Sequence, residues 1–262
     1  MKEVQSCALD ILVKIAEICE SQNIRYSLAY GTLIGAIRHN GFIPWDDDID
    51  LFMPRPDYEA FLDYLKVHPA EDLKVFNTET NKNYPFAITR ISDMRYIIEE
   101  SKYKNCGMGI FVDIYPIDGL GNSTEDAIQI YEQTRSLKDE MIYIATETHL
   151  PHRFLFTSPY KYIRHVYSKV RGSNYLLKKI ENIVLRYNYN SCKYVGVPLW
   201  TWNNAIYKRA WFEEFINVPF EGYEFKSIKC YDEFLRLTYG DYMQLPPIEE
   251  RIYHHAYKAY IR

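Results

Sequence analysis

One acidic run decides how this sequence is interpreted: Trp45-Asp46-Asp47-Asp48-Ile49-Asp50-Leu51. Successive side chains of an extended strand point to opposite faces, so Asp46, Asp48 and Asp50 are predicted to share one face. Ile49 and Leu51 then enter the core. Carboxylates on one face repel each other unless a cation lies between them. Hard oxygen ligands at this spacing suit Mg²⁺ or Mn²⁺ better than Zn²⁺.

A calcium loop of the EF-hand kind is the main alternative for the acidic run. Such a loop has Gly at its sixth position and Glu at its twelfth. Counted from Asp46, those positions hold Leu51 and Asp57, so the alternative fails. A solvated loop is disfavoured because the acids lead directly into an apolar run that ends at Met53. Asp47 is expected to point away and to orient the approach to the strand. Glycosyltransferases carry similar acids, so the run alone does not name the reaction.

The segment before the acids indicates the purpose of the ion. Residues 24–30 predict a strand, Gly31 and Thr32 a tight turn, and residues 33–38 a short helix. Glycine lets the backbone approach a ligand closely, and the N–H groups of a helix start attract anions. Thr32 adds a hydroxyl donor, and Arg38 is a candidate phosphate partner. A phosphate-holding turn followed by a metal-holding strand is what phosphoryl or nucleotidyl transfer requires.

A further carboxylate has to come from another strand to close such a site. The apolar run from residue 109 to residue 118 is typical of a strand buried on both faces. An aspartate inside that run is costly unless it binds a charge or a donor. Asp113 is therefore predicted to be the third metal ligand or the base. Asp118, which lies between Pro116 and Gly119, is predicted to cap a turn.

These blocks resemble the LicD/fukutin family. The most specific block runs from Ala29 to Asp50, the second surrounds Asp113, and the third begins at Tyr239-Gly240-Asp241 and continues through Arg251 and His254. The resemblance extends from residue 24 to the end of the chain, apart from residues 123–205, where no pattern matches. It implies a nucleotidyltransferase-like fold and transfer of a phosphorylated alcohol, often phosphocholine, from a cytidine nucleotide to a glycan or glycolipid.

The resemblance also implies a metal site and a mechanism. The metal-binding acids fall on Asp48, Asp50 and Asp113, with Asp46 beside them as a further catalytic carboxylate. One or two Mg²⁺ or Mn²⁺ ions are expected to bridge the diphosphate of a donor such as CDP-choline. An acceptor hydroxyl, deprotonated by Asp113 or Asp46, then attacks the phosphorus that bears the alcohol, and CMP leaves.

Other residues are expected around this centre. Gly31 and Thr32 take the place of the Gly-Ser turn of the wider nucleotidyltransferase superfamily and, with Arg38, are expected to hold phosphate oxygens. Further candidates for the site are Tyr30, Trp45, Arg90, Tyr115, Asp241, Arg251 and His254. The rings among them could hold a quaternary ammonium by cation–π attraction. Two roles stay open for His254. It is either a general acid or base, or a structural residue of a C-terminal segment that pins Asp241 and Tyr242 against the core.

Length and composition predict one α+β catalytic domain. A mixed-sheet core is expected in residues 1–122, a mostly helical and acceptor-binding insertion in residues 123–205, and a segment returning to the core in residues 206–262. A net charge of −4 argues against nucleic acid as partner. Five cysteines without a CxxC pair predict reduced, mostly buried thiols. An amphipathic helix is expected at the N-terminus, one or two helices within residues 159–189, and further helices at residues 57–67, 124–148, 211–215 and 231–239. One or two strands are expected within residues 87–99, a strand or loop at 200–210, and a hairpin at 220–225.

No signal peptide or spanning segment is recognised, so the protein is expected in the cytoplasm, where nucleotide-activated donors are made. Residues 151–186 carry eight lysines and arginines against one acid, interleaved with aromatic residues. This stretch is predicted to bind a phosphorylated glycan, to contact the inner face of an anionic membrane that carries a lipid-linked oligosaccharide acceptor, or to be an ordinary solvated helix face.

Three other functions stay open from the sequence. The same site could transfer another CDP- or CMP-activated group, such as an aminoalkyl phosphonate or a polyol phosphate. It could leave the nucleotide on the acceptor, as a true nucleotidyltransferase does. A non-catalytic glycan-binding module is the alternative outside enzymes, and the clustered acids speak against it. The favoured function belongs to the synthesis of lipopolysaccharide, teichoic acid or capsule.

Overall fold

The structure, a computed structural model, describes residues 2–81, 84, 86–100, 105–145, 159–171, 173–200, 204–252 and 257–262. Its α-helices are α1 (Lys2–Ser21), α2 (Tyr30–His39), α3 (Arg55–Val67), α4 (Thr124–Ala145), α5 (Pro159–Arg171), α6 (Ser173–Val184) and α7 (Tyr231–Tyr239). Its strands are β1 (Ser27–Leu28), β2 (Asp50–Pro54), β3 (Leu73–Phe76), β4 (Thr89–Asp93), β5 (Tyr96–Glu100), β6 (Ile110–Gly121), β7 (Tyr194–Gly196), β8 (Tyr207–Lys208), β9 (Phe215–Phe220), β10 (Tyr223–Ile228) and β11 (Tyr257–Ile261). Short 3₁₀ turns cover Tyr189–Ser191, Arg209–Phe212 and Ile248–Glu250.

A seven-stranded mixed sheet organises the molecule. Its main path runs β1-β2-β6-β4-β3, and β7 and β8 continue it from the far half of β6. β2 and β6 are parallel, and the other pairs are antiparallel. β9 pairs with β10 and β5 with β11 in two separate ribbons. The α+β fold expected from the sequence is confirmed.

Strand β6 is the centre of the sheet. All twelve of its residues are buried, because β2, β4 and β7 flank it and helices cover it. The continuous apolar run is the consequence of this double burial. α1 packs across β6 and β4 with an apolar face that includes Ile11 and Ile15, and α3 packs on β2 and β6 with Phe61.

The helices of the middle region pack beside this sheet. α4 contacts α5 and α6, and a second apolar cluster joins Leu137 of α4 to Leu176 and Ile180 of α6. The chain then returns through β7, which is hydrogen-bonded to the last part of β6. The division into core, acceptor-binding lobe and returning segment stays a prediction, although residues 123–205 do contribute one strand to the sheet.

Most predicted elements are present with shifted ends. The expected helices at residues 57–67 and 231–239 are α3 and α7, and the hairpin is formed by β9 and β10 with Glu221-Gly222 at its turn. The helix predicted at residues 211–215 is instead a 3₁₀ turn that ends at Phe212 and precedes β9. All five cysteines are free thiols, and Cys7, Cys19 and Cys192 are buried.

Three predictions about the acidic run and the segment before it were wrong. The strand expected at residues 24–30 is only Ser27–Leu28, because Asn23 and Tyr30 adopt φ values of 53° and 43° that turn the chain at both sides. Helix α2 therefore begins at Tyr30, and Gly31 and Thr32 lie in its first turn rather than in a separate turn. The acidic run is also not one strand, since β2 begins only at Asp50.

Asp118 does not cap a turn. It lies within β6, fully buried, and its carboxylate accepts two hydrogen bonds from the Arg55 guanidinium at 2.6 and 2.9 Å. Burial raises the pKa of Asp118, and Arg55 opposes that shift. Because side chains alternate along a strand, Asp118 and Asp113 point to opposite faces of the sheet. Asp118 therefore forms a structural ion pair with Arg55, on the face of the sheet opposite the acidic cluster.

Candidate active site

A row of three charged side chains crosses the middle of the sheet. Asp50 on β2 is the register partner of Asp113 on β6, and Asp113 is in turn the register partner of Arg90 on β4. Side chains at paired positions point to the same face and lie close together. The backbone continues this alignment, since the Asp113 N–H donates to the Ile49 carbonyl at 2.8 Å. Neighbouring strands therefore place two carboxylates and one guanidinium side by side.

Asp48 completes a three-carboxylate cluster with this row. One oxygen each of Asp48, Asp50 and Asp113 lies within 4.8 Å of the others. Asp50 and Asp113 are buried, and Asp48 is half-buried. Burial, followed by the charges of Asp48, Asp113 and Asp46, raises the pKa of Asp50 well above its ordinary value. These three carboxylates are close enough to hold one metal ion between them.

The donor set fits a hard divalent cation. Oδ1 of Asp50 is a buried oxygen with no hydrogen-bond partner among the residues the structure describes. A buried acceptor without a donor is rare in folded proteins, and metal coordination satisfies it. Three carboxylates with no thiolate or imidazole favour Mg²⁺ or Mn²⁺.

Arg90 holds Asp113 from the side opposite the cluster. Its Nε donates to Oδ1 of Asp113 at 2.6 Å, and both side chains are buried. The guanidinium lies between the rings of Phe86 and Phe111, 4.0 and 3.8 Å from their centroids. Burial alone lowers the pKa of Arg90, but Asp113 and its hydrogen bond raise it, so the net shift is upward. Arg90 stays charged and fixes the orientation of Asp113.

The first turn of α2 contacts two of the aspartates. The Thr32 hydroxyl accepts a hydrogen bond from the Asp50 backbone N–H at 2.9 Å, and Thr32 is buried. A Cβ at Gly31 would lie 2.7 Å from Oδ2 of Asp46, so glycine leaves the space that this carboxylate occupies. Both residues thus position aspartates. Gly31 and Thr32 lie in the first turn of α2 next to Asp46 and Asp50, and their role in holding phosphate stays a prediction.

Asp46 and Asp47 lie outside the three-carboxylate cluster. Both are half-buried, and each interacts with other residues. The backbone of Asp46 is fixed, because its carbonyl accepts from the Gln5 side chain at 2.8 Å and its N–H donates to Ile43. Asp46 therefore borders the cluster at Gly31, as a carboxylate that is closer to solvent than Asp50.

The three aromatic candidates have their rings engaged. The rings of Tyr30 and Tyr115 meet edge-on at 5.2 Å, and that of Tyr30 packs on Phe52 at 4.7 Å. The Tyr115 hydroxyl lies 3.4 Å from Oδ2 of Asp113. Arg251 lies over the Trp45 ring, 5.4 Å from its centroid. Core packing or a guanidinium thus covers part of each ring, and their role in holding a quaternary ammonium stays a prediction.

Arg38 and Arg251 form a cationic patch beside Trp45. Arg38 lies in the last turn of α2, about 9 Å along the helix axis from Thr32, and its Nη1 donates to the Tyr242 carbonyl at 2.6 Å. Arg251 donates to the Pro246 carbonyl at 2.9 Å. Burial and the nearby charge of Arg251 lower the pKa of Arg38. The expected phosphate partner is thus turned toward the C-terminal segment.

The candidates near the C-terminus differ in their burial. Tyr242 is buried and its hydroxyl donates to Asp232 at 2.8 Å, whereas Asp241 is exposed and is not part of the acidic cluster. Tyr242 is held by Asp232 of α7 and Arg38 of α2, and pinning of these residues by the C-terminal segment stays a prediction. His254 lies outside the described residues.

Sequence reasoning missed Trp200 and the two rings around Arg90. Trp200 is half-buried, and its ring centroid lies 5.7 Å from that of Tyr115 and 6.1 Å from that of Phe86. The signal available was weak. Phe86 and Phe111 lie close in the sequence to Arg90 and Asp113, but only the strand register shows that these two charges meet.

Comparison with known proteins identifies the family of this chain. The family model described as LicD/FKTN/FKRP, nucleotidyltransferase domain, matches residues 23–165. The lipopolysaccharide cholinephosphotransferase LicD of Haemophilus influenzae is 33% identical over 272 aligned residues, which cover 100% of this chain and 98% of that protein. The chain belongs to the LicD family. It is accordingly an enzyme, a phosphotransferase of the LicD type.

Shorter matches come from two uncharacterized proteins. One from Rickettsia typhi is 32% identical over 102 residues, which are 39% of this chain and 31% of that protein. Another from Rickettsia prowazekii is 51% identical over 35 residues, 13% of each chain. Among the described residues, no helix of this LicD-family protein is long and apolar enough to cross a membrane.

Proposed function

We propose that this protein transfers phosphocholine from CDP-choline to a hydroxyl of a cell-surface glycan or glycolipid precursor. The observation that carries the proposal is the cluster of Asp48, Asp50 and Asp113, with carboxylate oxygens within 4.8 Å of each other. The match to a lipopolysaccharide cholinephosphotransferase over nearly its whole length supports the choice of head group and the type of acceptor.

Asp48, Asp50 and Asp113 would hold Mg²⁺ or Mn²⁺. When bound, such an ion neutralises charge on diphosphate oxygens and on the leaving group. The protein contributes the orientation of the ligands. Arg90 fixes Asp113 through the 2.6 Å contact, and Thr32 fixes the backbone of Asp50. The buried side of the cluster excludes water, since Asp50 and Asp113 are almost inaccessible.

Asp46 is the carboxylate we assign as proton acceptor. Asp113 is less suited, because the buried Arg90 guanidinium already holds one of its oxygens at 2.6 Å. Asp46 is half-buried beside the cluster and can meet an acceptor that approaches from solvent. In the reaction the acceptor hydroxyl oxygen forms a bond to the phosphorus that bears choline. The bond from that phosphorus to the oxygen of CMP breaks, the hydroxyl proton passes to Asp46, and CMP leaves.

Two further assignments follow from the surroundings of the cluster. The Arg38–Arg251 patch would attract an anionic donor toward the site, because like charges held together raise the local potential. Trp200 is the described ring that we assign to the choline end, since it lies against Tyr115, whose hydroxyl approaches Asp113. We place acceptor binding in residues 123–205 and the reaction in the cytoplasm, where activated donors are made.

The test is release of CMP from a panel of CDP-alcohols in the presence of Mg²⁺, first without an acceptor. Without an acceptor, the donors are expected to be hydrolysed slowly, at the highest rate for CDP-choline. Chelation of the metal should stop this hydrolysis. Asp50→Asn should be inactive and Asp47→Asn active. Trp200→Leu should raise KM for CDP-choline more than for a CDP-alcohol that lacks the ammonium group.

Mass spectrometry of the glycan product then identifies the transferred group. Addition of phosphocholine supports the proposal. Addition of CMP to the acceptor would show a true nucleotidyltransferase instead. If every CDP-alcohol is inert while a CMP-activated phosphonate reacts, the assigned donor is wrong although the cluster keeps its role.

A further inference from the structure

Helix α5 exposes a continuous apolar face. Its exposed large apolar residues are Tyr160, Ile163, Val166, Tyr167 and Val170, with exposed fractions from 44% to 81%. They recur three or four positions apart, which places them on one side of a helix. Single exposed apolar residues are common on protein surfaces, but a row along one helix indicates an interaction site.

This face is not the one by which α5 packs on the protein. α5 contacts α4 and α6, and the buried apolar cluster there is formed by α4, α6 and their neighbours. None of the described side chains of α5 belongs to a buried apolar cluster. α6, in contrast, buries Leu176, Ile180 and Val184. The apolar residues of α5 are therefore not explained by the core.

The charge of α5 indicates what could cover this face. Its thirteen residues include two lysines and two arginines and no acidic residue, although the whole chain carries a net charge of −4. A helix that combines an apolar face, aromatic residues and several cations is typical of helices that lie in the interface of an anionic bilayer. Each cation close to such a surface adds attraction to the acidic headgroups.

We propose that α5 docks on an anionic lipid surface, with Ile163, Tyr167 and Val170 inserted among the headgroups. A second copy of the chain would suit this face less well, because two helices of the same positive charge would repel each other. Docking does not depend on the donor or the metal. That it would bring the acidic cluster to a lipid-linked acceptor is a consequence that rests on the proposed function.

The experiment compares two double variants of the full chain in vesicle co-sedimentation. Ile163→Asp/Val170→Asp removes two residues of the apolar face. Val67→Asp/Ile128→Asp is the matched control, since these residues are 74% and 50% exposed and lie on α3 and α4. Vesicles are made of phosphatidylcholine alone or of an equal mixture with phosphatidylglycerol. The melting midpoint and the far-ultraviolet circular dichroism spectrum show that each variant is folded.

Wild type and control are expected to bind the anionic vesicles much more tightly than the neutral ones, and less tightly at high salt because the charges are screened. The α5 variant should bind the anionic vesicles with an affinity lower by about tenfold or more, because two apolar side chains are no longer transferred from water into the lipid. Equal binding by both variants, or no binding by wild type, would overturn the proposal. A wild-type dimer that only the α5 variant dissociates would show that a second copy covers the face.

Discussion

Asp50 and Asp113 are register partners on the parallel strands β2 and β6, and an oxygen of each lies within 4.8 Å of an oxygen of Asp48. Parallel pairing brings two remote parts of the chain together, one before α3 and one after β5. The carboxylate of Asp50 has an unpaired buried oxygen in the described structure, and its pKa is raised by burial and by its acidic neighbours. This arrangement of carboxylates can hold a cation, and a bound cation would offset the repulsion among them.

Asp50→Asn should therefore separate catalysis from folding. Loss of one charged ligand should lower the rate of CMP release by about 10²–10³, the effect of deleting a single electrostatic contact to a transition state. Without metal, the variant should be as stable as wild type or more stable, because repulsion among the acids decreases. Urea unfolding in chelator and steady-state kinetics measure the two quantities.

Asp47→Asn is the matched control for that change. It is isosteric, it alters a neighbouring aspartate, and Asp47 does not belong to the three-carboxylate cluster. Its activity should remain within a few-fold of wild type. An inactive Asp47→Asn together with an active Asp50→Asn would show that the ion is bound by a different set of acids.

Arg90→Met should destabilise the protein strongly. It leaves the buried Asp113 carboxylate without its guanidinium, a change that costs about 3–5 kcal/mol in buried ion pairs. The double variant Arg90→Met/Asp113→Asn should recover much of this free energy of unfolding, because no uncompensated charge remains. Activity should stay absent, since Asp113 is a proposed metal ligand. A stable Arg90→Met single variant would contradict the role of Arg90 in holding Asp113.

Gly31→Ala tests whether glycine is needed for Asp46. The added methyl group would lie 2.7 Å from Oδ2 of Asp46, so the carboxylate has to move. We expect a large loss of activity with little loss of stability. In a double-mutant cycle with Asp46→Ala, the second change should add little, because both remove the same carboxylate from its place. Additive effects would mean that Gly31 acts on another partner, such as the donor phosphate.

The sequence predicts local features of this protein well. The apolar run around Asp113 indicates a doubly buried strand, and β6 is that strand. The pattern of the N-terminus gives α1, and residues 231–239 give α7. These elements are determined by their own periodicity, which depends on burial of a face rather than on the identity of the neighbour.

Pairings between remote segments could not be predicted in the same way. The Arg90–Asp113 contact and the Thr32–Asp50 hydrogen bond depend on strand register, which no local pattern specifies. β11 pairs with β5 although about 160 residues of sequence separate them. The contact between the Thr32 hydroxyl and the Asp50 backbone is of this kind, because the two residues lie on different elements; the role of Thr32 in holding phosphate stays a prediction.

The Arg55–Asp118 pair gives a test on the opposite face of the sheet. Arg55→Met should cost about 3–5 kcal/mol, as for other broken buried ion pairs, since Asp118 is fully buried. Arg55→Met/Asp118→Asn should regain much of that stability. Unlike the Arg90 variants, the folded double variant should keep the kcat of wild type, because neither residue faces the acidic cluster. A lost kcat in a stable double variant would show that this pair belongs to the site.

Thr32 distinguishes the two roles considered for its hydroxyl. Thr32→Val keeps the shape of the side chain but leaves the buried Asp50 N–H without an acceptor, which costs about 1–3 kcal/mol. Thr32→Ser keeps the acceptor and should be close to wild type in stability and rate. If the hydroxyl positions Asp50, Thr32→Val should lower the free energy of unfolding and kcat together. A Thr32→Val protein of normal stability, with only KM for the donor raised, would instead mean that the hydroxyl binds phosphate, as the sequence alone suggested.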